Sequence, residues 1–229
     1  MAKLLEFLDA DTAAAALAQH VAARLKADLA QQEQAVLVVS GGRSPVPFFH
    51  ALAAQPLDWA RVLVTLADER WVPPDHPDSN EALVRRHLLS GRAAAARLVP
   101  LWSEAATPEA GAQALAPALA ALPRPFSQVV LGMGEDGHVA SLFPDAPELQ
   151  DGLRTAAPAL AVHPGRAPHP RLSLSLSALL QTRDLALLVS GEAKARLLAE
   201  ALGSGPVTEL PVRAVLRQTA VPVSVFWAP

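Results

Sequence analysis

Gly132-Met133-Gly134-Glu135-Asp136-Gly137-His138 follows the short run Gln128 to Leu131 and delivers a histidine at the end of a glycine-rich turn. Glycines let backbone N–H groups crowd around an anion, and imidazole is the side chain best suited to moving a proton near neutral pH. His138 is therefore read as a general base that takes a proton from water. A histidine on its own is more often a packed or capping residue. The strand end and the glycines around His138 favour chemistry.

Three more strand ends carry glycine or charge. Ser40-Gly41-Gly42-Arg43-Ser44-Pro45 presents N–H groups and the Ser44 hydroxyl ahead of a helix, whose N-terminus favours an anion. It lacks the Lys-Ser/Thr ending of a nucleotide P-loop, and the same residues also build an ordinary strand-to-helix turn. Asp68-Glu69-Arg70 closes another run. Ser190-Gly191 leads into a helix with Lys194 in its first turn, where the cation opposes the helix dipole and calls for an anion partner. In open α/β sheets, ligands bind beyond the carboxyl ends of the strands, so this convergence outweighs any single motif.

Other chemistries fit less well. Gly132-x-Gly134-x-x-Gly137 matches a dinucleotide fingerprint, but Pro144 to Gly152 offers no second strand ending in an acid, and Glu135 and Asp136 would repel a pyrophosphate. Asp136 and His138 invite a metal, yet no other histidine stands at zinc-like spacing, so none is expected. The absence of cysteine excludes thiolate nucleophiles and sulfur-ligated zinc.

These residues must be held by elements legible in the pattern. Asp11 or Thr12 is expected to cap a helix to about Gln31, with Leu17, Val21, Leu25 and Leu29 at helical spacing. Buried strands are expected at Val36–Val39, Val62–Leu66, Gln128–Leu131 and Asp184–Val189. Further strands are expected at Leu98–Trp102, Ala159–His163 and Val221–Trp227. Pro45 should open one helix, and Asp78 with Glu81 has capping-box spacing for another, to about Leu89. Thr107-Pro108-Glu109 and Glu192 begin two more. Arg171 to Ser177 alternates with period two, as a strand with one polar face does. Strands alternating with helices predict one α/β domain over residues 1–229: an open, mostly parallel, Rossmann-like sheet with helices on both faces.

The chain has 229 residues, 51% of them hydrophobic, and a formal charge of −3. It carries no basic field to draw nucleic acid or anionic lipid. Glu6 and Asp9 near the start argue against a signal peptide, and no apolar run approaches the ~20 residues of a membrane span. A soluble cytoplasmic protein is expected. Nothing in the pattern specifies an oligomeric state.

Taken together, Ser40 to Pro45, Asp68-Glu69-Arg70-Trp71-Val72-Pro73, Ser79-Asn80, Gly132 to Pro144, Arg171 and Gly191 to Ala195 resemble the 6-phosphogluconolactonase family. The resemblance implies hydrolysis of 6-phospho-D-glucono-1,5-lactone in the pentose phosphate pathway, with no cofactor. The same superfamily includes glucosamine-6-phosphate deaminases, which look similar through the glycine turn but carry a glutamate where this chain has Phe143. A non-catalytic sugar-phosphate sensor on the same fold would ordinarily need an effector module, and the chain has no spare length for one. The expected phosphosugar site has Gly41, Gly42, Ser44, Arg171 and Lys194 on the phosphate, with Asp136 and Gly137 also in contact with substrate. His138 is the base, Arg70 or turn N–H groups steady the carbonyl oxygen, and Asp68 holds sugar hydroxyls or orients a partner.

Overall fold

The computed structural model describes residues 2–229. Its strands are β1 (Lys3–Glu6), β2 (Ala35–Val39), β3 (Val62–Leu66), β4 (Asp68–Arg70), β5 (Arg97–Val99), β6 (Gln128–Gly132), β7 (Ala159–Val162), β8 (Arg171–Leu174), β9 (Leu185–Ser190) and β10 (Val223–Ala228). Its α-helices are α1 (Ala10–Leu29), α2 (Val46–Ala53), α3 (Asn80–His87), α4 (Pro108–Ala120), α5 (Leu149–Arg154), α6 (Leu176–Leu179), α7 (Glu192–Leu202) and α8 (Val212–Leu216).

Seven strands form one sheet in the order β1-β10-β9-β6-β2-β3-β5, each pairing parallel. Every residue of β2 and β3 is buried. Successive side chains of a strand point to opposite faces, so burial at every position means cover on both sides. Part of that cover is α1, which packs on β2, β6, β9 and β10 through fully buried Leu17, Val21 and Leu25. The α/β sheet expected from the alternating pattern is the one observed.

The strand order reverses between β2 and β6. From β2 the chain steps outward to β3 and β5, and then β6 returns to the other flank of β2 and β9 and β10 continue away. Loops leaving neighbouring strands diverge at such a reversal and open a crevice at the carboxyl ends. Ser40 donates its N–H to Val130 O at 3.0 Å, so the loops that follow β2 and β6 start side by side.

A second sheet, β4-β8-β7, is antiparallel and stands at the rim of this crevice. It corrects two expectations. Asp68-Glu69-Arg70 is itself a strand rather than a bare strand end, with Arg70 opposite Arg171. The alternating stretch from Arg171 stops at Leu174 and is buried at all four positions. Its serines are not solvent-facing: Ser173 Oγ accepts from Ser141 N–H, and Ser175 caps α6 by accepting from Ala178 N–H.

Three helix ends also differ. Asp9, not Asp11 or Thr12, caps α1 by accepting from Thr12 N–H, and the helix stops at Leu29. Ser79, not Asp78, caps α3 through Ala82 N–H. The carboxylate that completes that cap comes from outside the helix: Glu69 accepts from Asn80 N–H and Glu81 N–H, each at 2.7 Å. Strand β1 and helices α5, α6 and α8 were not foreseen, because at four to six residues each is too short to show a period.

Candidate active site

The turn after β6 places a hydrogen-bonded pair. Asp136 Oδ1 lies 2.5 Å from His138 Nδ1 and 3.1 Å from His138 N. A carboxylate on Nδ1 holds the proton there and leaves the lone pair on Nε2. Burial raises the Asp136 carboxyl, but the hydrogen bonds and charge of His138 outweigh it and leave the group below its ordinary value. Asp136 is thus held as an anion. Gly134 makes the approach possible, since a Cβ there would stand 2.1 Å from His138 Nδ1. Ala140, with φ 49, takes a left-handed backbone that side chains rarely adopt, so the turn is strained where it carries the histidine.

Phe143 closes one side of the imidazole, with ring centroids 4.1 Å apart. Asp68, buried beyond the end of β3, accepts from Ser141 Oγ at 2.6 Å through Oδ2, while its backbone carbonyl accepts from Asn80 Nδ2 at 2.9 Å. The second sheet is therefore tied both to the histidine segment and to α3.

These groups surround one cavity of about 290 Å³. Gly41, Gly42 and Ser44 line it from the loop after β2, Asp68 and Arg70 from β4, His138 from the glycine turn, Arg171 from β8 and Lys194 from α7. Asp136 and Gly137 are not on its wall. Asp136 stands behind His138, and Gly137 is packed against Leu210, with its carbonyl accepting from Val212 N–H at 2.8 Å. The structure places both in support of the turn.

Phe143 and Asn80 are among the cavity residues with no role assigned from sequence. Phe143 carries the imidazole contact above. Asn80 is buried, and a Cβ on Gly41 would stand 1.8 Å from its Oδ1. The Ser79-Asn80 pair was visible as a motif, but only the fold brings it against a loop nearly forty positions away.

The cavity wall is mixed, and several of its polar atoms are unsatisfied. Ser40 Oγ, Asn80 Oδ1, Arg70 Nε and Arg171 Nε are buried without a protein hydrogen-bond partner. Buried polar atoms are rarely left so, and a cluster of them marks where a polar ligand completes the set. Arg171 is 6% exposed. Burial lowers its guanidinium from the ordinary value while nearby Asp68 raises it. Its Nη2 is fixed on Pro168 O at 3.0 Å, and its guanidinium carbon lies 5.8 Å from the Phe143 ring centre. The arrangement sets an imidazole, two arginines, a lysine and a glycine loop around a cavity of small-molecule size.

The family described as glucosamine-6-phosphate isomerases/6-phosphogluconolactonase matches residues 8–227. A 6-phosphogluconolactonase of Pseudomonas putida is 49% identical over 232 residues, covering 99% of this chain and 93% of that protein. One from Pseudomonas aeruginosa is 47% identical over 218 residues, covering 93% and 89%. The crystal structure of a 6-phosphogluconolactonase from Shewanella baltica superposes with a TM-score of 0.98 at 43% identity, covering 100% of this chain and 98% of that one. The match spans both sheets and every element that lines the cavity: the chain belongs to the glucosamine-6-phosphate isomerase/6-phosphogluconolactonase family.

Proposed function

We propose that the chain hydrolyses 6-phospho-D-glucono-1,5-lactone to 6-phosphogluconate, the lactonase step of the pentose phosphate pathway. The observation that carries this reading is His138, held by Asp136, opening onto the same cavity as the loop after β2, Arg171 and Lys194. The names of the full-length relatives support it.

The phosphate is held by the N–H groups of Gly41 and Gly42, the Ser44 hydroxyl and the cations Arg171 and Lys194. His138 Nε2 takes a proton from water as the water oxygen bonds to C1. Negative charge then grows on the former carbonyl oxygen, where Arg70 and N–H groups of the glycine turn stabilise it. The C1–ring oxygen bond breaks as the tetrahedral carbon collapses, and the imidazolium returns its proton to the departing ring oxygen. A lactone is already an activated ester, so no covalent enzyme intermediate is needed. Asp136 orients the imidazole, and Asp68 ties the Ser141 segment in place.

Both sheets contribute walls to one cavity, which supports treating residues 1–229 as one working domain. No helix among the described residues is long and apolar enough to cross a membrane.

The test is stopped-flow proton release from freshly generated lactone. Acceleration above spontaneous opening in buffer is expected, and no acceleration rejects the reading. Phe143, which cannot exchange a proton, argues against amino-sugar deamination. Ammonia release from glucosamine 6-phosphate at a comparable rate overturns that choice.

A further inference from the structure

Outside the cavity, the loops that brace Arg70 and Arg171 bring together two imidazoles and a carboxylate. His76 and Asp78 lie between β4 and α3, and His169 lies between β7 and β8. Asp78 and His169 are 91 positions apart in sequence, which is why spacing alone predicted no metal site. His169 Nε2 lies 2.9 Å from Asp78 Oδ2, and His76 Nδ1 lies 4.0 Å from the same oxygen. One donor atom from each residue falls within 4.8 Å of the other two, and among the described residues no other trio of such ligands does so. The two rings meet edge to face with centroids 5.4 Å apart.

We propose that His76, Asp78 and His169 form a binding site for one borderline divalent ion such as Zn²⁺, Co²⁺ or Ni²⁺. Two imidazole nitrogens and one carboxylate oxygen suit these ions, whereas Mg²⁺ and Ca²⁺ require sets of oxygens. With bonds of about 2.0–2.2 Å, tetrahedral donors stand roughly 3.3–3.6 Å apart, so the His169–Asp78 pair opens slightly and the gap to His76 closes. The side chains can close that gap, being 37%, 52% and 29% exposed for His76, Asp78 and His169. His76 Nδ1 already accepts from Asp78 N–H at 3.1 Å, and the ion takes the place of that donor, whereas His169 Nε2, which donates to the Asp78 carboxylate, gives up its proton as the ion binds.

A second observation concerns the backbone. His169 has φ 67, and the other non-glycine residue with positive φ, among those described, is Ala140 in the histidine turn. Such conformations cost about 1–3 kcal/mol and cluster at functional positions. Here the strained residue is the one whose ring reaches Asp78.

The site stands directly behind the cavity cations. Asp78 O accepts from Arg70 Nη1, and Pro168, next to His169, accepts from Arg171 Nη2. A bound ion pins the loop before α3 to the loop before β8 and so holds both braces. Three protein ligands leave a fourth position for water.

The experiment titrates the chelator-stripped full chain with ZnCl₂ by calorimetry and with CoCl₂ by visible absorption. One saturable equivalent is expected, with ligand-field bands for Co²⁺ and a higher Tm for the zinc form. His169→Ala and His76→Gln should each weaken binding at least roughly tenfold. His138→Ala and His163→Ala should bind as the parent does, which separates this site from two other carboxylate-bound histidines. No saturable binding by the parent chain, undiminished binding by both the His169 and His76 variants, or equal competition by Mg²⁺ each overturns the proposal. Circular dichroism melts of the variants without metal confirm that lost binding is not lost folding.

Discussion

Asp136 decides which nitrogen of His138 can act. Its 2.5 Å contact with Nδ1 leaves the Nε2 lone pair free, so under the proposed mechanism the two residues should behave as one unit in kinetics. His138→Ala is expected to lower kcat about 10²- to 10⁴-fold with KM little changed. Asp136→Asn should lower kcat by less, because an amide still holds the ring but no longer specifies its tautomer. Adding it to His138→Ala should cost little more. Steady-state rates of the two singles and the double check this, and additive losses would show that Asp136 acts independently of the imidazole. The cations divide differently. Lys194→Ala removes a charge-assisted bond worth about 1.5–3 kcal/mol, so KM should rise roughly ten- to a hundredfold with kcat retained. Arg70→Ala should instead fall mainly in kcat if its guanidinium faces the carbonyl oxygen, and a pure KM effect would move it to the phosphate. Arg70 and Arg171 are register partners on β4 and β8, so substitution of each in turn reads two adjacent positions on one wall.

At the scale of elements, Glu69 joins β4 to α3. Its two carboxylate oxygens accept from Arg70, Asn80 and Glu81 N–H groups and from Ser79 Oγ, which fixes the start of α3 and with it Asn80 at the cavity wall. Burial pushes the carboxyl from its ordinary 4.5 up to about 7, against those N–H donors. The folded chain then binds more protons than the unfolded one between these values. The stability contribution of Glu69 is greatest below the lower value and declines as pH rises through the upper. Glu69→Gln, which cannot titrate, should be less stable than the parent, and the gap should narrow between pH 5 and pH 8. Urea midpoints at the two pH values measure it, and a gap that widens with pH removes this account. Glu69 also shows where sequence reading stops. Asp78 and Glu81 have the spacing of a local cap, but the carboxylate that meets the orphan N–H groups arrives from a strand about ten positions upstream, and no local pattern encodes that. The buried runs that became β2, β3, β6 and β9 were legible because continuous apolar residues between turns have few other uses. Ser173 and Ser175 misled because a serine whose hydroxyl finds a partner can be as buried as a valine. His138 and the Ser40–Ser44 loop were visible as glycine-flanked strand ends, whereas the wall of Asn80 and Phe143 needed the fold.

At the scale of the molecule, the cavity is a joint product of two sheets. The parallel sheet supplies the loops after β2 and β6 and Lys194 on the helix after β9, and the antiparallel sheet supplies Asp68, Arg70 and Arg171. A ligand held by both stabilises only the state in which they are docked. The product, 6-phosphogluconate, keeps the phosphate and loses the reactive bond, so it reports binding without turnover. At a concentration about 100 times its Kd it should add roughly 2.7 kcal/mol to folding, or roughly 5–10 °C in Tm for a chain of this length. Both sheets should melt in one transition, with and without product. Lys194→Ala should lose most of the shift at the same product concentration, because its Kd is higher. His138→Ala should keep the shift while losing turnover, since its substitution removes the base and leaves the phosphate cradle whole. Differential scanning calorimetry of the three proteins decides the matter. Two separate transitions, with only one moved by product, would mean that the sheets fold as independent units and that one of them alone holds the phosphosugar.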